Sequence, residues 1–394
     1  MSKTNLYGII KEIYAAATEK NGVETGVLGK TVLGFPIPYI KKGHGCGNVS
    51  GSTGGNANGN ERAREKEEKR KEALIFGAIH AREYVTAPLV LKMSEKYAGE
   101  TAVYFVPAVN IDGLALSIFG IDFVEYLGRL YGEYPHPRSA DRPNFRYACG
   151  LGRRRENPAA LFCECAEFFG EIERLAVEKT IAQSAFLSEN FQKNSNGFGG
   201  GNSRGPAADT SDELPLSPFS ENLLKINGYS RDFSLWKANI DAVDLNVNFD
   251  ADWGGGAQNV RYPAPANFIG PYPESEPETR ALVNFTKSHD FFCVLCYHSK
   301  GDLIYYGYGG RFPDREFAEQ ISRSTGYPLT QSENSAGGYK DWFTLKFDRP
   351  ALTVEVGGES FSRVELLERF DEIYDRNSNV ASIIDRFARE RKRK

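Results

Sequence analysis

Two stretches of this chain are apolar without interruption, and each ends in a histidine: ALIFGAIH at 73–80 and FFCVLCYH at 291–298. A strand-length run with no polar face predicts a strand buried on both sides, as in a sheet covered by helices front and back. A helix is expected over 84–97, then a second apolar run at 102–109, AVYFVPAV. Strand, helix and strand make a βαβ unit. A further strand, ALTVEV at 351–356, runs into Glu355. The expected fold class is α/β: three layers, α/β/α, around a mixed, mostly parallel central sheet.

The rest of the chain divides by composition. Residues 1–42 should supply a helix at 5–19, with Leu6, Ile9, Ile10, Ile13 and Tyr14 on one face, and one or two strands at 27–40. Residues 43–72 are rich in Gly and Asn and then in mixed charge (ERAREKEEKRKE), which predicts a flexible loop. Residues 73–394 form the main domain, interrupted at about 114–224 by an insertion expected to be partly disordered and helical near 157–183. A closing helix is expected over 363–391. Lys plus Arg number 48 against 52 Asp plus Glu, so nothing in the charge points to nucleic acid as a partner. Six cysteines are too few for a disulfide scaffold. No segment has the length and apolarity of a membrane span, and the N-terminus lacks the apolar core of a signal peptide. The expectation is a cytoplasmic chain without a membrane partner.

Chemistry concentrates in GAIHAREYVTAP, residues 77–88. His80 and Glu83 stand three apart, just past a buried strand. Sites in open α/β sheets form outside the carboxyl ends of strands. Imidazole nitrogen and carboxylate oxygen suit Zn²⁺, whose catalytic sites keep three protein ligands and one open position. His298, also at a strand end, is a natural third ligand. Cys293 and Cys296 sit three apart within one strand and point to opposite faces, so they read as core residues rather than a metal pair.

Three further segments accompany these: PAVNIDG at 107–113, WKANIDAVDLNVNF at 236–249 and LTVEVG at 352–357. With HAREYVTAP, CYHSKG and GPYPESEPETRAL (270–282), in this order, they resemble the zinc carboxypeptidase family, and within it the bacterial γ-D-glutamyl-diaminopimelate peptidases. The resemblance implies one zinc per chain on His80, Glu83 and His298. It implies Glu355 as general base and acid, and Lys237, where the family often has Arg, as the charge beside the scissile carbonyl. Arg82 and Asn246 match substrate-contacting positions, and Tyr339 is a nearby candidate. The activity implied is hydrolysis of a peptide or γ-glutamyl amide bond, with a murein-derived peptide as substrate. Two alternatives stand beside it: a carboxypeptidase acting on ordinary peptides, and a zinc-dependent peptide-binding module without turnover.

The pattern breaks at Val247. Digestive members of the family carry there an Arg that clamps the substrate's C-terminal carboxylate. Valine supplies neither charge nor donor, and a bidentate charged contact is among the strongest polar interactions. Arg82, Lys300 and Lys340 are candidate substitutes. The break favours an unusual peptide link over a tuned C-terminal exopeptidase.

Overall fold

The computed structural model describes residues 5–18, 23–43, 72–131, 158–195, 215–331 and 335–390. Eight strands form one sheet: β1 (Glu24–Lys30), β2 (Pro36–Lys42), β3 (Glu72–Phe76), β4 (Ala102–Val106), β5 (Phe291–His298), β6 (Leu303–Tyr306), β7 (Leu329–Thr330) and β8 (Ala351–Glu355). Their order is β1-β2-β4-β3-β5-β8-β6-β7. The central strands β4, β3, β5 and β8 run parallel, while β2 against β4 and β6 against β8 are antiparallel.

Both faces of the centre are buried, and this is why its strands are apolar throughout. Ala73, Ile75, Val103, Phe105, Cys293 and Leu295 join one core. Their neighbours Leu74, Phe76, Tyr104, Val106, Val294 and Cys296 join the other. The two strand cysteines therefore part to opposite faces. The first core is closed by α1 (Ile9–Thr18), α2 (Thr86–Lys96), α3 (Ile111–Phe119) and the C-terminal helices. The second is closed by α7 (Pro277–Lys287) and α9 (Tyr339–Phe347). The helices between these are α4 (Ile121–Tyr131), α5 (Pro158–Ser195), α6 (Pro218–Ile226) and α8 (Arg315–Thr325).

Two sequence expectations are corrected. Residues 114–131, expected to open an insertion, form α3 and α4. Leu114, Leu116, Phe123 and Val124 of this pair lie fully inside the first core. The helix expected near 157–183 is α5. It docks through Phe162 and Phe169 on Tyr14, and through Phe168 and Phe169 on Phe35. The closing helix is three: α10 (Arg363–Glu368), α11 (Phe370–Asn377) and α12 (Val380–Glu390). Arg369, at φ −94° and ψ 16°, breaks the first junction. At the second, buried Asn377 bonds the Tyr297 and Tyr327 hydroxyls, which fixes α11 against the sheet. The loop expected at 43–72 lies almost wholly outside the described residues, as do 132–157 and 196–214 of the expected insertion. Among the described residues no helix is long and apolar enough to cross a membrane.

The strand order reverses beside β3: the chain leaves it for β4 on one side, while β5 and β8 lie on the other. Crevices at such a switch point, outside the carboxyl ends of the strands, are where open α/β sheets bind ligands. His80, His298 and Glu355 all stand there.

Candidate metal centre

The turn after β3 is held by two side chains. Thr86 Oγ1 accepts from the Ala78 N–H at 2.8 Å and donates to the Glu83 carbonyl at 2.8 Å. Asn110 secures it from the other side, with Nδ2 donating to the carbonyls of Ile79 and Ala238 at 3.2 and 3.1 Å. Gly113 permits that approach, since a Cβ there would lie 2.5 Å from the Ala238 oxygen. The PAVNIDG segment thus locks the His80 turn to the Lys237 loop.

His80 Nδ1 lies 2.9 Å from Glu83 Oε1 and 3.0 Å from His298 Nδ1, and His298 Nδ1 lies 3.1 Å from Glu83 Oε2. All three residues are buried. Burial pushes the Glu83 carboxyl up, but the charges and hydrogen bonds of the two imidazoles outweigh it and hold the group well below its usual range. Glu83 Oε2 is buried and, though 3.1 Å from His298 Nδ1, makes no well-aligned hydrogen bond. A buried orphan oxygen facing two imidazole nitrogens needs a further partner. The ligand atoms of these residues all fall within 4.8 Å of one another. Ligands of a tetrahedral zinc, at about 2.0–2.1 Å from the ion, stand roughly 3.4 Å apart. The donor set fits a zinc ion.

Behind the triad lies a residue the sequence left unmarked. Asp244, fully buried, has Oδ1 3.2 Å from His80 Nε2 and Oδ2 2.8 Å from Lys237 Nζ. Burial raises its carboxyl, and Lys237 and His80 more than reverse this, leaving it far below the ordinary range. A carboxylate behind a ligating histidine fixes the ring's orientation and tautomer. The only signal was its place in the DLN step, seven residues after Lys237. His298 is backed differently: its Nε2 lies 2.8 Å from Cys296 Sγ, two residues back on the same strand face.

Glu355 pairs with His298 in the β5–β8 register, so the two side chains share a face. Burial pushes its carboxyl up to about 7, with His298 and Lys237 opposing and Glu83 adding to the rise. Glu355, His80, His298, Lys237, Asn246 and Val247 line a cavity of about 580 Å³. Asn246 Oδ1 accepts from the Tyr339 N–H at 3.0 Å. That backbone group can only donate, so the Asn246 amide nitrogen is the end left for the cavity. Gly337, at φ 81°, carries the chain past Val247, where a Cβ would meet the Val247 oxygen at 2.7 Å.

Tyr339 is corrected. Its ring is fully buried against Phe76, Phe249 and Trp342, and its hydroxyl bonds Thr286 Oγ1 at 2.8 Å. Only its backbone serves the site. Of the candidate substitutes for the missing Arg, Lys300 is spent on the carbonyls of Glu359 and Phe361. Lys340 lines the cavity but is paired with Asp341 and donates to the Gly307 carbonyl. Arg82 is half-buried outside the cavity lining, with Nη1 3.5 Å from the Leu235 carbonyl and Nε buried without a partner.

A family model described as zinc carboxypeptidase matches residues 11–120 and 227–370. Gamma-D-glutamyl-L-diamino acid endopeptidase 1 of Lysinibacillus sphaericus is 41% identical over 159 residues, 40% of each chain. Human carboxypeptidase A5 is 40% identical over 68 residues, 17% of this chain and 15% of the relative. The chain thus spans two-fifths or less of the length of these two relatives. Thrombin-activatable fibrinolysis inhibitor shares the fold, with a TM-score of 0.52 at 14% identity over 98% of this chain and 79% of that one.

Proposed function

The chain belongs to the zinc carboxypeptidase family, and from that premise we propose that it is a zinc-dependent peptidase hydrolysing a γ-D-glutamyl amide bond in a murein-type peptide. The carrying observation is the convergence of His80, Glu83 and His298, with Glu355 beside them on the same sheet face. In this reading one zinc ion is held by His80 Nδ1, Glu83 and His298 Nδ1. When bound, such an ion lowers the pKa of its water to about 7 and polarises a carbonyl.

The protein groups do the rest. Glu355, poised near neutrality, takes the proton of the attacking water and later delivers it to the leaving amine. Lys237, anchored by Asp244, turns its charge toward the carbonyl oxygen as negative charge builds there. Asp244 also holds His80 in its ligating orientation. Asn246 offers its amide to the substrate inside the cavity.

The γ-glutamyl preference is supported by the name of the Lysinibacillus relative and by Val247 in the cavity wall, which gives a C-terminal carboxylate no charged clamp. A carboxypeptidase mode is the second reading. The Asn246 amide and the Lys340 ammonium, both in the cavity, favour it.

The test is zinc-loaded protein on paired peptides with free and amidated C-termini, one pair γ-D-glutamyl-linked, with products read by mass. Cleavage of the γ-link whatever the C-terminal block is expected. Cleavage of free C-termini alone would establish the second reading. Glu355→Gln should bind zinc normally and lose turnover. Full activity in that variant would remove Glu355 from the mechanism.

A further inference from the structure

The two histidines of the triad turn their outer ring nitrogens to different chemistry. His80 Nε2 faces the Asp244 carboxylate at 3.2 Å. His298 Nε2 faces Cys296 Sγ at 2.8 Å, and among the described residues no other group is hydrogen-bonded to that nitrogen. The strand itself makes this contact. Cys296 and His298 stand two apart on β5, so their side chains share one face of the sheet. Cys296 is 1% exposed and lies in the second core, beside Phe76 on β3 and Thr353 on β8 in the strand register. Packing on both flanks leaves the sulfur little room to leave the ring.

A histidine that ligates through Nδ1 uses the lone pair of that nitrogen, so its neutral ring carries the proton on Nε2. A buried N–H without an acceptor costs the full desolvation of the group. Sulfur is a weak acceptor, but it is the one this strand face supplies. A carboxylate, the device used behind His80, would accept more strongly. At position 296 it would also add a third acid to a pocket that already holds Glu83 and Glu355, the latter opposite His298 in the β5–β8 register. A thiol supplies the acceptor without the charge, and burial keeps it in the neutral form.

We propose that Cys296 is a positioning residue of the metal centre: its sulfur accepts from His298 Nε2 and holds that ring with Nδ1 turned to the zinc. The proposal rests on the zinc reading of the triad and is independent of which peptide is cut. It also gives the two strand cysteines different work, since Cys293 faces the opposite core.

The experiment measures zinc affinity by competition with a chelator for wild type, Cys296→Val, Cys296→Ser and Cys293→Val. Valine fills the space of the thiol and accepts nothing, so Cys296→Val should weaken zinc binding by about 10–100-fold, the range for losing the partner of a ligating histidine. Serine keeps an acceptor, and Cys296→Ser should stay within about threefold of wild type. Cys293→Val removes a buried thiol from the other face and should leave the affinity unchanged. Thermal melting of the zinc-free proteins reports whether each variant is folded. Nitrogen-15 spectra of the His298 ring give a second reading, which a packing role would not move: Cys296→Val should shift the Nε2 resonance, and Cys296→Ser should largely restore it. Wild-type zinc affinity in Cys296→Val, or an equal loss in Cys296→Ser, overturns the proposal.

The same spectra keep the two readings apart. If wild type takes up no zinc, yet Cys296→Val and not Cys293→Val shifts the His298 ring nitrogens, the contact stands and the zinc reading fails. If wild type and Cys296→Val bind zinc alike, the zinc reading stands and the positioning role fails.

Discussion

Two groups of buried carboxylates in this molecule share burial and differ in charge. Glu83 and Asp244, 3% and 0% exposed, face imidazoles and Lys237 and stay ionised. Asp112 and Glu278, both 0% exposed, have no cationic partner among the described residues. Asp112 accepts from Thr31 Oγ1 and the Leu33 N–H, and Glu278 from the Val32 N–H. Burial pushes Asp112 up to about 7 despite those bonds. It also pushes Glu278 well above the ordinary range, with Asp112 and Glu276 adding to the rise. Burial, helped by neighbouring carboxyls, therefore favours the protonated form, and a neighbouring cation decides whether a carboxyl stays ionised. One cluster has the charge a metal site needs, and the other ties the β1–β2 connection to the body of the fold.

The largest way to break this contrast is Glu83→Gln. It removes the only negative charge among the three ligands, and we expect loss of stoichiometric zinc by elemental analysis together with loss of turnover. Next is Asp244→Asn, which leaves the half-buried Lys237 without its counter-charge and frees the His80 ring. The expected cost is about 10–100-fold in zinc affinity, read by competition with a chelator. Retention of wild-type affinity would show that the Asp244–His80 contact does nothing for the metal.

The smallest effect is thermodynamic. Between about pH 4 and pH 7 the folded state holds a proton on Asp112 that the unfolded state has released. Folding stability from this pair therefore falls as pH rises through that window, by at most roughly 4 kcal/mol for Asp112. Glu83 and Asp244 act with the opposite sign, contributing stability above about pH 4 that is lost on acidification. Glu278→Gln keeps the oxygen that accepts from Val32 and removes a group that takes up a proton on folding, so it should flatten the fall. Denaturant unfolding of the zinc-free protein at several pH values would check this. An unchanged slope would mean that Glu278 ionises in the folded protein as freely as in water.

What could be read from the sequence follows the same divide between local and distant causes. The runs ending at His80 and His298 were legible because strands buried on both faces leave no polar positions. The ligating histidines were legible because they interrupt those runs. Asp244 was not, since its partner His80 lies 164 positions away and nothing local marks a carboxylate that will face an imidazole. Tyr339 was misplaced for a related reason: a tyrosine beside two glycines carries no sign of which way its ring turns. The junctions at Arg369 and Asn377 escaped because the helical apolar spacing runs straight across them.

The separation of the triad along the chain has a consequence for how the molecule is made. His80 and His298 stand 218 positions apart, yet their rings meet at 3.0 Å. During synthesis the His80 segment is made long before His298 exists. An ion that needs both rings cannot stabilise any early intermediate. It acts only once β5 has docked on β3, and there it adds stability by mass action in proportion to its affinity. With a metal bound as proposed, the pocket would act as a late latch that adds equilibrium stability to the assembled sheet and leaves untouched how its first half folds.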